Sequence, residues 1–445
     1  MIFSLISIVL AILWIVIGTS YTKWNPIVVL FTSALLLALL LGIAPFEALE
    51  LMSKGFGKIV QNIGLLILFG TLIGYALERS RATLSIAGGI LNYLSILPLP
   101  YAVSCVGYLV SIPVFCDAAF VILAKLNETL SQQTKTPLVG LTVALSTGLF
   151  APHVLIPPTP GPLAAASNLK LENLSLLMMV GGIVALILIL VGGAYGNYLI
   201  KKNSTSGIRT ATDMDWPEAE DQFPRFSFAI LPIIVPIVLM GLGSLMPFLP
   251  KTIFGFSFLH FLTRPTIALG VGVLFAFGLG KTKRIFFIKT TVVKGIKLAT
   301  PILVITGMGG GLGSIIQTVP LQEFAQNITS FESLGIVIPF AIAALLKTAQ
   351  GSSTVAIITA SSIVFPLLPL LGLDSEMGKI WTIVAVGVGS MTVSHANDSY
   401  FWIVSQMSGM DVQTAYRTHT VGTLLQGLVG LVVVFMGHLI WSLYP

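Results

Sequence analysis

Apolar residues fall in long blocks along this chain, and polar ones gather between them. Ile2–Ile17, Ile27–Ile43, Leu65–Leu77, Leu174–Leu199, Phe226–Leu249, Thr266–Leu279 and Val421–Leu443 are nearly free of charge. A helix needs roughly 20 apolar residues, within a range of roughly 17–25, to cross a bilayer. The pattern predicts an all-α polytopic membrane protein whose shorter apolar runs extend into flanking polar residues. Two segments interrupt apolar sequence, one in each half: Ala151-Pro-His-Val-Leu-Ile-Pro-Pro-Thr-Pro-Gly-Pro162 and Ser394-His-Ala-Asn-Asp-Ser-Tyr-Phe-Trp402. At membrane depth, non-helical backbone is tolerated only where protein or a water-filled cavity satisfies its N–H and C=O groups. Paired interruptions at corresponding positions point to the central site of a secondary carrier.

Composition agrees with the pattern. Of 445 residues, 55% are hydrophobic and 9% charged, whereas soluble domains carry roughly 25% charged residues. No basic residue precedes the first apolar run and no small-x-small site closes it, so Ile2–Ile17 reads as a retained span. Cys105 and Cys116 give neither a disulfide framework nor a metal-ligand spacing. The net charge of +6 fits basic cytoplasmic loops better than nucleic-acid binding. No nucleic-acid partner, metal or cofactor is expected. Gly280-Lys281-Thr282 resembles the end of a phosphate-binding loop, but the required earlier glycine falls at Phe275. Gly307–Gly313 is no dinucleotide fingerprint, because an all-helical chain offers no strand–turn–helix unit. Its glycines, like Gly70 and Gly74, permit close helix contact instead. Without an ATPase motif, energy would come from an ion gradient or from the solute's own.

The chain divides into a first membrane repeat (1–200), a cytoplasmic linker loop (201–226) and a second membrane repeat (227–445). The linker carries mixed charge and Pro217 and Pro224, with no apolar period. The halves resemble each other: Gly64–Gly70 matches Pro301–Gly307, and Ala144–His153 matches Val386–His395. Between those landmarks lie Ser111–Asp117 and Gln350–Thr354 in the same order. Lys281–Lys297 reads as a cytoplasmic basic loop and its counterpart Ala44–Lys58 as an outside loop, which implies inverted repeats.

Candidate chemistry sits at the interruptions. Four prolines in Pro157–Pro162 exclude a helix interior, so a helix is expected to start at Pro162, with its free N–H groups facing an anion. Thr159 and Gly161 lie at that start. Gly351-Ser352-Ser353-Thr354 reads as an N-cap with free donors, a second grip for a carboxylate. Lys347 precedes it, either snorkelling to the interface or offsetting a bound anion. Asn397, Asp398 and Ser399 offer acceptors and donors suited to hydroxyls. Asp117 and Asp398 are the intramembrane acids most suited to proton coupling. His153 and His395 stand at the repeat-related breaks and titrate near working pH. His260, His419 and His438 read as interfacial or structural.

The blocks Gly64–Glu78, Ser111–Leu123, Thr147–Ala166, Gln350–Pro366 and Gly389–Phe401 resemble the gluconate permease (GntP) family of the ion transporter superfamily. The most specific are Thr159 within Pro-Pro-Thr-Pro-Gly-Pro and the Ser-His-x-Asn-Asp-Ser motif. The resemblance implies proton symport of gluconate, or of a related small sugar acid or hydroxy acid, across a bacterial inner membrane. It also implies a homodimer in which a scaffold carries a mobile transport domain with two re-entrant hairpins, here Ser111–Leu130 and Lys347–Pro366. One departure is Tyr400, where gluconate carriers tend to have glycine; a reshaped pocket makes a shorter acid such as glycerate as fitting as gluconate. Read from the residues alone, a sodium-coupled carrier of a different organic anion remains open. So does a membrane-embedded acid–base enzyme built on His153, Asp398 and His395. A passive channel lacks a ring-forming filter segment.

Overall fold

The computed structural model describes residues 2–18, 22, 24–203, 224–246, 256–280, 284–319, 335–396 and 398–443. Among them there are helices and connections but no strand. The first half forms α1 (Ile2–Val16), α2 (Pro26–Leu40), α3 (Pro45–Arg79), α4 (Ala82–Tyr93), α5 (Leu99–Ser111), α6 (Cys116–Thr134), α7 (Leu138–Leu155), α8 (Pro160–Asn168) and α9 (Leu174–Asn203). The second forms α10 (Phe226–Ala229), α11 (Leu231–Leu245), α12 (Phe256–Leu262), α13 (Pro265–Gly278), α14 (Arg284–Ile316), α15 (Val337–Gln350), α16 (Ser353–Val364), α17 (Glu376–Met391), α18 (Ser399–Met407), α19 (Val412–Ala415) and α20 (Val421–Leu443). Most of the expected linker, 204–223, lies outside the described residues. Proline opens α2, α3, α8 and α13 at the first helical position, where its missing N–H costs nothing and its φ is already helical.

Among the described residues, five stretches are long and apolar enough to cross a membrane, and α12 with α13, bent by 73°, adds a sixth if the pair counts as one span. Two of the expected loops are helical instead. Ala44–Lys58 forms the first turns of α3, and Lys289, Lys294 and Lys297 lie on α14; Lys281 is outside the described residues. With about 1.5 Å of rise per residue, the 35 residues of α3 span about 52 Å. That exceeds a hydrocarbon core of roughly 30 Å, so the charged turns extend past it as helix. Glu50 and Lys54 support the turn with an i,i+4 pair at 2.6 Å.

The element order repeats: a long helix (α3, α14), two shorter helices across a break (α5–α6, α15–α16), an interrupted pair (α7–α8, α17–α18), and a long helix (α9, α20). The long helices α3 and α14 pack against each other and run antiparallel, since Met52 lies by Gly311 while Leu72 lies by Gly295. Their crossing depends on glycine. A Cβ on Gly310 would run into Ile59, and one on Gly55 into the Gly310 carbonyl. The expected close contact at Gly307–Gly313 is therefore met. Gly70 and Gly74 also allow close approach, but to the breaks rather than to helices: Gly70 faces Pro158 and Gly74 the Pro113 carbonyl. On the far side of the breaks, α8 packs on α16 and α18 packs on α6.

Among the described residues, both interruptions find partners for several of their backbone groups. In the first, the Ile156 N–H bonds Pro152 O at 2.9 Å and the Thr159 N–H bonds Ile156 O at 3.3 Å. Pro157 and Pro158 have no N–H to satisfy. In the second, the Ser394 N–H donates to Thr423 Oγ1 at 3.0 Å, the Ala396 N–H to the Tyr416 hydroxyl at 3.3 Å, and the Asp398 N–H to His395 O at 2.8 Å. The Thr420 hydroxyl donates to Ser394 O at 2.6 Å. Non-helical chain can therefore be buried without stranding these donors.

Gly310→Leu overpacks the α3–α14 crossing and is expected to destabilise the protein by about 1–3 kcal/mol. Gly57→Ala, on α3 with nothing within 4 Å of its Cβ position, is expected to stabilise by up to about 1 kcal/mol. Thermal unfolding of purified protein in detergent checks both directions.

Candidate functional site

The site is built where α15 ends and α16 begins. α15 stops because Gly351 turns left-handed at φ 75° and donates its N–H to Lys347 O at 2.8 Å, a closure glycine adopts without strain. Ser352 then caps α16, its hydroxyl accepting the Val355 N–H at 3.4 Å. The Ser353 and Thr354 N–H groups are left without helical partners and point out of the helix's positive end. The expected N-cap is thus present, with α16 starting at Ser353.

Lys347 lies one turn before this end and is 1% exposed, so it does not snorkel. Its ammonium pairs with Asp398 Oδ2 at 2.6 Å, donates to Gly351 O at 3.3 Å and sits 5.5 Å from the Phe150 ring centre. Asp398 comes from the second interruption and caps α18, accepting the Tyr400 N–H on Oδ1 at 3.1 Å. The Ser394 hydroxyl donates to Oδ2 at 2.5 Å. Two charges buried this deeply persist only when paired and hydrogen-bonded, and this pair has both.

The chain of contacts continues to His419, which is 0% exposed. Its Nε2 lies 3.2 Å from Ser394 Oγ and its Nδ1 3.0 Å from Ser146 Oγ. Ser394 gives its proton to Asp398, so its oxygen accepts from His419. The network therefore assigns a proton to Nε2, while Nδ1 shares the Ser146 hydroxyl with the Val143 carbonyl, which lies 3.2 Å from Oγ. Tyr400 is wedged beside it, 2% exposed, its hydroxyl donating to Ser146 O at 2.8 Å and its ring edge-on to Phe120 and His419 and tilted against Phe150.

Other expected residues gather here to different degrees. His153 is 7% exposed, packs 6.0 Å from the Phe115 ring, and has a buried Nδ1 without a partner. Asp117 opens α6 and takes a 3.7 Å contact from the Cys116 thiol. His395 tethers the second interruption to α15 through Thr348 O at 3.1 Å. Asn397 lies outside the described residues.

The first interruption offers less to an anion than the sequence implied. α8 starts at Pro160, not Pro162, because Thr159 takes the extended cap conformation and Pro160 fits the first helical position. Two of its first three positions are then prolines without N–H, leaving only the amide of Gly161. The Thr159 hydroxyl already donates to Ile156 O at 2.5 Å. Gly161 faces Ile357 of α16, where a Cβ would lie 2.7 Å from its Cδ1, so it also serves helix packing.

Sequence reasoning missed two contributors, Gln350 and His419, and the partner of a third, Lys347. Gln350 has both side-chain polar atoms buried without a partner beside the α16 terminus; its place in the Gln350–Thr354 landmark was the available signal. Lys347 is the only charge in α15, which could have set it against Asp398. His419 sits among Arg417, Thr418 and Thr420 and so read as interfacial. It lies in a π-helical turn, Tyr416–Thr420, that turns it inward.

Comparison with known proteins bears on what this arrangement serves. The family described as GntP family permease matches residues 3–440. A permease of Haemophilus influenzae, named as uncharacterized, is 29% identical, with 98% of this chain and 93% of that protein covered. The high-affinity gluconate transporter of Escherichia coli K12 is 27% identical over 92% of this chain and 93% of its own length. The D-serine transporter DsdX of the same strain is 26% identical over 97% and 96%. In fold, the chain is similar to the YdaH transporter of Alcanivorax borkumensis, with a TM-score of 0.62 at 15% identity and 90% of each chain covered. The match across almost the whole length shows that the chain belongs to the GntP family of permeases and is a multi-pass inner-membrane transporter, not an enzyme.

Proposed function

We propose that this permease carries a small hydroxylated carboxylate, in the range from glycerate to gluconate, inward together with a proton. The observation that carries the reading is the buried Lys347–Asp398 pair beside the open N-terminus of α16. In the empty carrier the pair is neutral. An entering carboxylate meets the Ser353 and Thr354 N–H groups and the Lys347 ammonium, and so competes with Asp398 for its counter-ion. A buried carboxylate that has lost its cation is costly, and protonation removes the cost. The loaded site then holds Lys347 as cation, substrate as anion and Asp398 as neutral acid: again neutral. Substrate without proton leaves one net negative charge in the site; a proton without substrate leaves one positive. Only the empty and the doubly loaded states cross cheaply, which couples one proton to one acid. Proton co-entry also cancels the electrical cost of the anion, about 2.3 kcal/mol per charge per 100 mV.

His419, through Ser394, gives Asp398 a hydrogen-bonded route for that proton, and Asp117, at the start of the α6 on which α18 packs, is the second acid suited to it. Ser352, Thr354, Asn397, Ser399 and Gln350 are the groups that would read hydroxyls, with Thr159 and Gly161 lining the opposite break. Tyr400 fills space between α6 and α7, which favours a compact acid. The antiparallel α3–α14 crossing and the exchanged partnerships α8–α16 and α18–α6 support two repeats, 1–200 and 227–445, related by inversion across the membrane plane.

Proteoliposomes with an inward proton gradient are expected to accumulate unmodified labelled glycerate or gluconate and to stop on adding a protonophore. Accumulation driven by sodium alone overturns the proton assignment. A panel that includes other aldonates and D-serine ranks the substrates, and preference for D-serine, a zwitterion without net charge, over every hydroxy acid removes the anion reading.

Asp398→Asn and Lys347→Gln are each expected to lower proton-driven uptake at least a hundredfold. Each single change also leaves one group of the site mismatched, costing about 3–5 kcal/mol in stability. The double variant Lys347→Gln/Asp398→Asn is expected to regain most of the thermal stability while remaining inactive. Uptake assays beside thermal unfolding separate the two effects.

A further inference from the structure

Away from the ion pair, a cavity of about 180 Å³ opens between α3, α14 and the ends of α8 and α16. Lys54 and Lys58 line it from α3, Lys170 from just past α8, with Ser167, Asn168 and Gln317 between them. The α8–α16 pair runs parallel toward it: Gly161 packs on Ile357, and nearer the cavity Asn168 Nδ2 bonds Ser361 Oγ at 2.8 Å and Ser362 Oγ at 3.0 Å. Nine residues of α16 separate Ser353 from Ser362, about 13 Å of helix. The cavity therefore lies on the same two helices as the ion-pair site, one short helix length away.

Its charges are not balanced. Lys54 is held by Glu50 at 2.6 Å. Lys379, nearby, is 3.8 Å from Glu376, which also accepts the Glu172 and Asn173 N–H groups. Among the described residues no carboxylate meets Lys58 or Lys170. Lys170 reaches only the Gln317 side-chain oxygen at 3.4 Å and the face of Phe365 at 4.6 Å. Burial, and then the repulsion of Lys58 and Lys379, hold its ammonium below the usual lysine range. The Ser167 hydroxyl is buried there without a partner. Like charges held together over an unfilled donor are relieved by an anion.

We infer that this cavity is an anion-collecting vestibule, in which Lys58 and Lys170, with the Ser167 hydroxyl, hold a small carboxylate before it reaches Lys347. The inference rests on the anion-carrier reading for its substrate, and on the cavity's own charges for its existence. A structural role for these lysines, capping α8 or stacking on Phe365, predicts lost stability without electrostatic selectivity.

The test places a single cysteine at the exposed Gln317, in protein whose Cys105 and Cys116 are replaced by serine. Its rates of reaction with an anionic and a cationic methanethiosulfonate of similar size are then compared. The anionic reagent is expected to react about tenfold faster, as focused charge in a cleft raises local counter-ion concentration. Lys58→Gln/Lys170→Gln should bring the two rates to near parity. In proteoliposomes, the same double variant with the native glutamine is expected to raise the KM for labelled glycerate or gluconate about tenfold at low salt. The maximal rate should be retained, and the difference from wild type should close as ionic strength rises. An unchanged reagent ratio, or a fall in maximal rate with unchanged KM and salt response, overturns the vestibule. If wild-type protein carries none of the acids, the transport reading fails, while the thiol rates still decide the vestibule by themselves.

Discussion

One ion pair organises this protein. Lys347 and Asp398 are both removed from solvent and meet at 2.6 Å, and the surrounding structure is arranged so that neither is left short of partners. Gly351 supplies a carbonyl to the lysine; Ser394 and the Tyr400 amide supply donors to the aspartate. A buried pair is weak evidence for stability by itself, since well-packed apolar residues do as well or better. Its value in the proposed cycle is electrostatic symmetry: the site is neutral empty, and neutral again when one acid and one proton enter.

The pair exists only because two breaks in helices are brought together. Lys347 arrives on a helix that Gly351 stops, and Asp398 on a chain that leaves the helix after Met391. Each break must close its own hydrogen bonds to be buried, and the two do so differently. The first uses prolines, which have no donor to strand. The second uses side chains from the following turn, Thr420, Thr423 and Tyr416. This difference explains why the first break is the poorer anion site: the substitution that makes it cheap to bury also removes the amides that would bind a ligand.

Much of the architecture was legible in the sequence, and the reasons are physical. Apolar blocks and polar interruptions are local signals that map to observed helices and breaks; the helix start read at Pro162 lies two residues earlier, at Pro160. Asp398 and the Gly351–Ser352 cap were readable because an acid or a cap stands out against apolar surroundings. Helix lengths were not: the charged starts of α3 and α14 look like loops because polar composition does not distinguish an exposed helix from a turn. Pairing was not legible either. Lys347 and Asp398 lie 51 residues apart, and His419 reaches Ser146 across 273. No periodicity carries such contacts; they follow from how α7, α15 and α17 pack.

The two short helices α8 and α16 tie the ion pair to the lysine cavity. They run parallel, so both point their positive N-termini toward the breaks and their negative C-termini toward the cavity. An anion near those C-termini would be repelled were the lysines absent; Lys58 and Lys170 reverse the sign of the field where a ligand enters. Moving inward along the pair, the attraction passes from lysine side chains to helix amides and then to Lys347. At the far end of that path the acid meets a cation that is already paired. In the proposed cycle it displaces Asp398 only if a proton takes its place, so the field that draws the anion in leads it to the step that requires the proton.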